Sequence, residues 1–387
     1  MKKVLFVSYS LCHGGAERSL LQTLEALDKD KYDVTLFLCS EKNNDLIGLV
    51  PEYVKVIVDK TKPHYFRRPK AIWLNLMRIL LSKISKKSGK KYTDKLNEYI
   101  HTQKARHPAD TYFKNEKFDI VVANNFGFVS EVASYIPARR HFMFYRSSVE
   151  TDHELNERVF AKCEKILPVG TGVKAMLCEK YPESKDKMYI LQDYVEYDEI
   201  AALAEHDIDD DFNDKLLICS CGRITREKGF DLAARAAKLL KETGLDFRWI
   251  IIGDGEKRKD VEQIIESESL GEYVVLLGAK DDPFPYIKKC DIFVQPSYEE
   301  SYGRTIAEAL ILGRPVVSTR TVGGESVLQN GKLGVLTDIS AQGLATGIKS
   351  LTDDPEKYKS LVGIYTREDN EKEKDIFKNA LEDIMSR

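Results

Sequence analysis

Two glutamates eight residues apart, Glu300 and Glu308, bracket the turn Ser301-Tyr302-Gly303-Arg304-Thr305 in this 387-residue chain. An apolar run ends just before the turn and a helical pattern begins inside it, so the turn links a strand to a helix. Gly303 lets the backbone bend tightly and approach a ligand, while a helix start offers N–H groups and a positive dipole end to an anion. A diphosphate suits such a place. Carboxylates beside a bound anion are better suited to accepting hydrogen bonds from sugar hydroxyls than to touching phosphate. Spacing alone equally allows Glu300 and Glu308 to be a surface pair at a helix N-cap.

Upstream, Cys221-Gly222-Arg223-Ile224-Thr225-Arg226-Glu227-Lys228-Gly229 joins another apolar run to its helix. Arg223 can grip phosphate oxygens bidentately and Lys228 adds a compact point charge, and both would stabilise a departing diphosphate. Taken alone, a basic loop of this kind is often a solvated turn. Its place on the same strand-end rim as Glu300 favours the phosphate. Near the start of the chain, His13-Gly14-Gly15-Ala16-Glu17 gives a close-approach loop, but its spacing is not G-x-G-x-x-G, which disfavours dinucleotide binding. Gly253-Asp254-Gly255 also follows a strand, yet Arg258 stands where a third glycine would let the helix pack tightly.

The elements that must position these loops come in two series. Short apolar, β-branched runs alternate with helical patterns, which predicts parallel βα units. Runs at 3–9, 33–39, 54–59, 118–124, 140–145 and 165–169 form the first series. The second holds runs at 215–221, 247–252, 273–277, 291–294 and 315–319. The acidic stretch Asp207-Ile208-Asp209-Asp210-Asp211 between them reads as a linker. The expected fold is α/β, with a first doubly wound domain over 1–204, a second over 205–365, and a charged terminal helix over 366–387 that packs back towards the first. Ligands of such sheets bind outside the carboxyl ends of the strands, so a cleft between the domains is the expected site.

Composition limits the alternatives. The chain is 43% hydrophobic and 31% charged, with no low-complexity tract, as in a globular protein. Seven scattered cysteines without a C-x-x-C favour a reducing cytoplasm over a disulfide framework or a zinc site. Cys219-Ser220-Cys221 sits in an apolar strand run and falls short of the four ligands a zinc site needs. The opening Met1-Lys2-Lys3 has the charge of a secretion signal, but the apolar run behind it is too short and reads as a first strand. No stretch approaches the ~20 apolar residues that span a bilayer, so any membrane contact is expected to be peripheral.

Between Lys60 and Arg106, fourteen Lys or Arg stand against Asp94 and Glu98, a local charge of +12 in a chain whose total is -3. The core of this region, residues 67–91, also carries Trp73, Leu74, Leu76, Ile79, Leu80 and Leu81. A cationic amphipathic helix of that kind fits an anionic membrane surface and would bring a lipid-linked acceptor to the first domain. An ordinary helix with a solvated lysine face fits the same residues. Nucleic acid is disfavoured, because the charge is confined to one insertion.

The order Gly14-Gly15-x-Glu17, then Gly222-Arg223-x4-Lys228-Gly229, then Gly253-Asp254-Gly255-Glu256, then Glu300-x7-Glu308-Ala309-x3-Gly313-Arg314-Pro315-Val316-Val317 resembles glycosyltransferase family 4 of the bacterial cell-surface polysaccharide type. The resemblance covers nearly the whole chain, is strong from Cys219 to Gly334, and lapses between Thr61 and Arg106. It implies a GT-B fold, two Rossmann-like doubly wound domains facing a central cleft, and retaining sugar transfer without a metal. It implies that Arg223 and Lys228 bind the donor diphosphate, that Glu300 meets the donor sugar hydroxyls and that Glu308 holds the ribose. Gly15, Gly222, Gly253 and the backbone of Ser301, Tyr302, Gly303, Arg304 and Thr305 join the donor side; Gly14 belongs to the acceptor side. Many family members carry a histidine where this chain has Phe144-Tyr145-Arg146-Ser147-Ser148. Arg146 cannot accept a proton, so its expected role is electrostatic.

No nucleophile with a base beside it stands out, so the expected mechanism is front-face transfer in which the departing phosphate oxygen takes the acceptor's proton. A UDP-sugar is the expected donor, with a GDP-sugar as the second choice, and a glycan or lipid-linked molecule the acceptor. The nucleobase is expected to meet backbone groups near Gly278 and Ala279. The cytoplasm, at the inner face of the cell membrane, is the expected location. A sugar-nucleotide epimerase or hydrolase of GT-B shape, and a non-catalytic sugar-nucleotide binder, remain open alternatives.

Overall fold

The computed structural model of the chain describes residues 1–61, 68–149, 152–208 and 215–386. Arg67 of the basic segment, Asp209, Asp210 and Asp211 of the acidic linker, and Arg387 lie outside the described residues. Two compact units are present. One holds 1–145, 150–167 and 180–189; the other holds 146–149, 168–179 and 190–387, so the chain passes between units several times.

The first unit is built on a six-stranded parallel sheet of β1 (Lys2–Ser8), β2 (Tyr32–Leu38), β3 (Lys55–Val58), β4 (Phe118–Ala123), β5 (Ala138–Tyr145) and β6 (Lys165–Pro168), in the order β3-β2-β1-β4-β5-β6. Val4, Leu5, Phe6 and Val7 of β1 are all fully buried. Helices covering both faces of a parallel sheet make such continuous apolar runs necessary. Helices α1 (Gly15–Ala26), α2 (Pro69–Ser82), α3 (Lys86–Thr111), α4 (Phe128–Tyr135) and α5 (His153–Lys162) follow in chain order. Between α2 and α3 lies a small separate core of Ala71, Leu74 and Leu96, with Tyr92, Tyr99 and Ile100 packed against it.

The second unit includes α6 (Thr171–Lys180) and α7 (Tyr197–Leu203) and repeats the sheet plan. Its strands are β7 (Leu216–Cys221), β8 (Phe247–Ile252), β9 (Val274–Gly278), β10 (Ile292–Gln295), β11 (Val316–Thr319) and β12 (Val335–Thr337), ordered β12-β11-β10-β7-β8-β9 and all parallel. Sequence reading missed β12, whose three residues are too few to carry a period of two. Helices α8 (Phe230–Glu242), α9 (Arg258–Ser267), α10 (Phe284–Lys289), α11 (Arg304–Ile311), α12 (Val322–Val327), α13 (Ala341–Thr352), α14 (Pro355–Leu361) and α15 (Arg367–Ser386) complete it.

The small side chains Ala233, Ala236 and Ala237 of α8 let it lie close on the sheet, against Ile218, Trp249 and Ile251, while Leu344, Ile348 and Leu351 of α13 join the same core. The two buried polar groups at its centre satisfy each other: Trp249 Nε1 donates to Ser220 Oγ at 3.0 Å, and Ser220 Oγ donates to the Val294 carbonyl at 2.6 Å. Left unpaired, each would cost about 1–3 kcal/mol. Helix α15 docks on residues 194–198 of the same unit. Its Asn370 Nδ2 donates to the Val195 carbonyl at 2.8 Å, Lys374 pairs with Glu196 at 2.6 Å, and Phe377 packs on Tyr194.

Candidate active site

In each sheet the strand order reverses once, between β1 and β4 and between β7 and β10. At such a point the loops leaving adjacent strands diverge to opposite faces and open a crevice for a ligand. In the second unit the loop after β7 carries Arg223 and Lys228, and the loop after β10 carries Glu300. Backbone bonds join them: the amides of Tyr298 and Glu299 both donate to the Glu227 carbonyl, at 2.9 and 3.2 Å. Gly229, with φ +65, allows the approach, because a Cβ there would stand 2.1 Å from the Pro296 carbonyl oxygen.

That framework brings Lys228 Nζ to 2.6 Å from Glu300 Oε2, with the two side chains 20% and 12% exposed. The phosphate-binding lysine and the sugar-binding carboxylate expected separately from the sequence are thus direct partners. Arg223 is different. Its side chain is 74% exposed and only grazes Glu227, at 3.9 Å, leaving a guanidinium at the rim able to close on an anion.

Helix α11 starts at Arg304 with Gly303 as its N-cap, at φ +91, so Glu300 and Glu308 are not an N-cap pair. The amides of Ile306 and Ala307 already bond the Gly303 carbonyl, at 3.0 and 3.1 Å. Glu308 is buried, and its Oε1 accepts from Arg304 Nε at 3.0 Å. The Arg304 side chain therefore serves to orient Glu308. Below the turn, Thr305 Oγ1 donates to Gln295 Oε1 at 2.7 Å, and Gln295 Nε2 donates to Ser297 Oγ at 2.8 Å. This buried polar ladder fixes the helix start to the end of β10. Gly323 closes the other side, its amide donating to the Glu300 carbonyl at 2.8 Å.

Gly222 and Gly253 lie at the ends of β7 and β8. The Gly222 amide donates to the Ile252 carbonyl at 3.0 Å, and the Gly253 amide to the Gly278 carbonyl at 2.8 Å, so the loops after β7, β8 and β9 form one interlocked rim. Cys221 stands beside them. Burial, reinforced by the Glu308 charge, pushes its thiol up to about 12. A thiol so disfavoured as an anion is a poor nucleophile at neutral pH.

Three side chains that sequence reasoning did not single out, Asp193, Glu373 and Tyr365, surround Tyr302 of the turn. Arg146 spans Asp193 with both arms, Nε to Oδ2 and Nη2 to Oδ1, each at 3.3 Å, and both side chains are 5% exposed. Its charge is therefore engaged by a carboxylate within the same unit. Tyr302 is buried, and burial together with the charges of Glu373 and Asp193 drives its phenol well above the ordinary value. Glu373, from α15, is itself shifted upward by burial and accepts a hydrogen bond from Tyr365. Within a charged helix pattern nothing marks Glu373 as inward-facing.

In the first unit, Gly14 is the N-cap of α1 and Gly15 its first residue. The Glu17 carboxylate folds back on them, close enough that a Cβ on Gly14 would stand 2.1 Å from Glu17 Oε2. A glutamate at the third helical position commonly reaches back in this way. His13 is exposed.

Residues 204–366 match the family described as Glycosyl transferases group 1. Over 92% of the chain, and 91% of the relative, it is 24% identical to an N-acetylgalactosamine-N,N'-diacetylbacillosaminyl-diphospho-undecaprenol 4-alpha-N-acetylgalactosaminyltransferase of Campylobacter jejuni. The chain is a glycosyltransferase. Its similarity to the lipopolysaccharide core biosynthesis glycosyltransferase LpsE of Rhizobium meliloti is higher but shorter, 31% over 40% of this chain and 47% of LpsE. Among solved structures, Anabaena HepE in complex with UDP and glucose superposes over the full length of both chains with a TM-score of 0.72 at 15% identity. WaaG, a glycosyltransferase of lipopolysaccharide biosynthesis, does so over 97% of this chain and 99% of its own with a TM-score of 0.60. These likenesses establish the fold of the glycosyltransferase as two Rossmann-like domains of the GT-B type.

Proposed function

We propose that this glycosyltransferase is a retaining enzyme of family 4 that moves a sugar from a nucleoside diphosphate sugar to a glycan or lipid-linked acceptor in cell-surface polysaccharide synthesis. The observation that carries this reading is the Lys228–Glu300 pair at the β7/β10 reversal, with Arg223 on the same rim. Lys228 and Arg223 oppose the charge that grows on the departing diphosphate. Glu300 meets the sugar hydroxyls, Glu308 the ribose, and the backbone from Ser301 to Thr305 the sugar and phosphate. Gly15, Gly222 and Gly253 let the backbone approach the donor. Gly14, with the first unit, serves the acceptor. A UDP-sugar is the preferred donor, in keeping with the UDP bound to HepE, and a GDP-sugar the second choice.

In the proposed step the bond from the anomeric carbon to the phosphate oxygen breaks and the acceptor oxygen bonds to the same face of that carbon. The acceptor's proton passes to the departing phosphate oxygen, so no protein nucleophile is used. Losing one preorganised charge partner of this kind costs on the order of 3–4 kcal/mol in the barrier. Thermal-shift measurements with UDP-, GDP-, ADP- and dTDP-sugars identify the donor, because a ligand bound only by the folded state raises the melting temperature. Product then carries the donor's anomeric configuration, and turnover survives EDTA. An inverted product sinks the retaining mechanism; unchanged turnover in Arg223→Ala sinks the role of Arg223.

The acceptor is proposed to be presented at an anionic membrane, with the enzyme peripheral at its cytoplasmic face. No helix among the described residues is long and apolar enough to cross a membrane. On α2, however, Ile72, Trp73, Leu76, Ile79 and Leu80 are 45–61% exposed, Ile84 just beyond is 76% exposed, and Ala71 and Leu74 face α3. Lys83 caps α2, and Lys86, Lys87, Lys90 and Lys91 follow in the first turns of α3. An apolar stripe followed by lysines suits the interface of an anionic bilayer. Sedimentation with phosphatidylglycerol vesicles is expected for the parent protein and lost in Trp73→Glu/Leu76→Glu; equal binding by both sinks the assignment.

A further inference from the structure

The first sheet has its own reversal, between β1 and β4, and an aromatic corner stands at its carboxyl end. Tyr9 follows β1 directly and is 55% exposed, an unusual state for a large aromatic side chain beside a buried strand. Phe128, the first residue of α4 in the segment after β4, meets it nearly edge to face, with ring centroids 6.4 Å apart and planes at 74°. His101 of α3 also packs on Phe128, with centroids 5.4 Å apart and planes at 70°. Its Nδ1 lies 2.9 Å from Glu131 Oε2, whose carboxylate is 3% exposed while the imidazole is 49% exposed. The carboxylate stands beside the ring as a charge partner without a hydrogen bond to it, and Nε2 lies on the far side of the imidazole.

We infer that Tyr9, Phe128 and His101 form the platform on which a pyranose ring of the acceptor lies, an inference that rests on the acceptor-binding reading of the first unit. A pyranose has one face of C–H groups and an edge of hydroxyls. The C–H face covers an aromatic ring, whose negative quadrupole attracts it, and two rings at a right angle hold both a face and an edge of the sugar. The imidazole supplies a hydrogen-bonding group for a hydroxyl at the margin. This is the mix of mostly apolar surface and a few placed polar groups that small-molecule sites use. The strand-order reversal is where a sheet of this plan binds its ligand. The β1–β4 frame is well held, since the Asn124 amide donates to the Val7 carbonyl at 2.9 Å and Asn124 Nδ2 reaches Ser8 Oγ and the Ala16 carbonyl, each at 3.4 Å.

The test is saturation-transfer NMR on the full chain with methyl glucoside, methyl galactoside and methyl N-acetylglucosaminide in both anomeric forms, with UDP-induced thermal shift run in parallel. The expected result is saturation on the ring C–H protons of at least one glycoside, with its affinity falling about tenfold in Tyr9→Ala and in Phe128→Ala and kept in Tyr9→Phe. His101→Gln is expected to lower affinity for one sugar epimer more than for the others. A UDP-induced shift equal to that of the parent establishes that each variant is folded. Glycoside binding unaffected by Tyr9→Ala and Phe128→Ala overturns the platform, as does saturation of uridine rather than of the glycoside by this corner. In either case a retained UDP shift and donor turnover leave the transferase reading standing. Loss of both in the parent protein would instead bring down that reading.

Discussion

Lys228 Nζ and Glu300 Oε2, separated by 72 residues in the chain, stand 2.6 Å apart and join the loops that leave the two strands flanking the reversal of the second sheet. Both side chains are mostly buried, so removing one leaves a charge without its partner. Lys228→Met and Glu300→Gln are each expected to lower the melting temperature and to cut donor turnover by about two orders of magnitude or more. In the double variant the stability losses should fall short of their sum, while turnover stays low. Additive losses of stability in a thermodynamic cycle would show that the pair does not act as a unit.

Arg146 and Asp193 form a buried ion pair in the second unit, each 5% exposed, and bridged twice. Breaking it from one side is expected to cost on the order of 3–5 kcal/mol. Arg146→Lys should not rescue, because an ammonium cannot span both carboxylate oxygens. Arg146→Met/Asp193→Leu is expected to recover most of the stability. If transfer also recovers in that variant, Arg146 acts by holding the framework; if it does not, the guanidinium meets substrate.

Glu373 gives a pH dependence whose sign is opposite to that of an ordinary paired carboxylate. Burial raises its folded pKa above the usual 4.5, so the folded protein holds this proton more tightly than the unfolded chain. The associated stability is fully present below the ordinary carboxylate range and is lost as pH rises through the raised value. Glu373→Gln, which keeps an acceptor for Tyr365, is expected to flatten that part of the stability profile and to match or exceed the parent at pH 7. Denaturation midpoints between about pH 4 and pH 8 read this directly. A steeper decline with pH in the variant would contradict it.

Gly229 and Gly363 share almost the same backbone, φ +65 and +64, but differ in surroundings. A Cβ on Gly229 meets the Pro296 carbonyl oxygen at 2.1 Å, whereas one on Gly363 meets nothing within 4 Å. Gly363→Ala should cost only the conformational strain, about 1–2 kcal/mol. Gly229→Ala should cost more and also weaken UDP binding, since it pushes apart the two loops that hold Lys228 and Glu300. Equal melting temperatures and equal UDP-induced shifts for the two variants would sink this account.

Much of the architecture is legible in the residues themselves. The alternation of buried β-branched runs with helical patterns is a local property, set by the side chains of seven or eight neighbours, and it places eleven of the twelve strands to within a few residues. The glycines and charges at 222–229 and 300–308 fall at strand ends for the same local reason. What neighbours cannot encode is which strand ends meet. Only the order β12-β11-β10-β7-β8-β9 sets β7 beside β10 and turns two separate loops into one rim.

The pairings that complete the site are likewise long-range. Arg146 reads as a charge in the place of a histidine until Asp193, 47 residues on, pairs with it. Glu373 reads as one more charge of a solvated helix until α15 docks on residues 194–198 and turns it towards Tyr365. Residue types and spacing by themselves determined the two α/β series and the strand-end loops, because each follows from short-range sterics and periodicity, whereas the one basic helix read over 67–91 is two, the apolar stripe on α2 and most of the lysines on α3. Tertiary structure alone decided which charge faces which, because an ion pair depends on a few ångströms of separation that only the packed sheets and the docked terminal helix set.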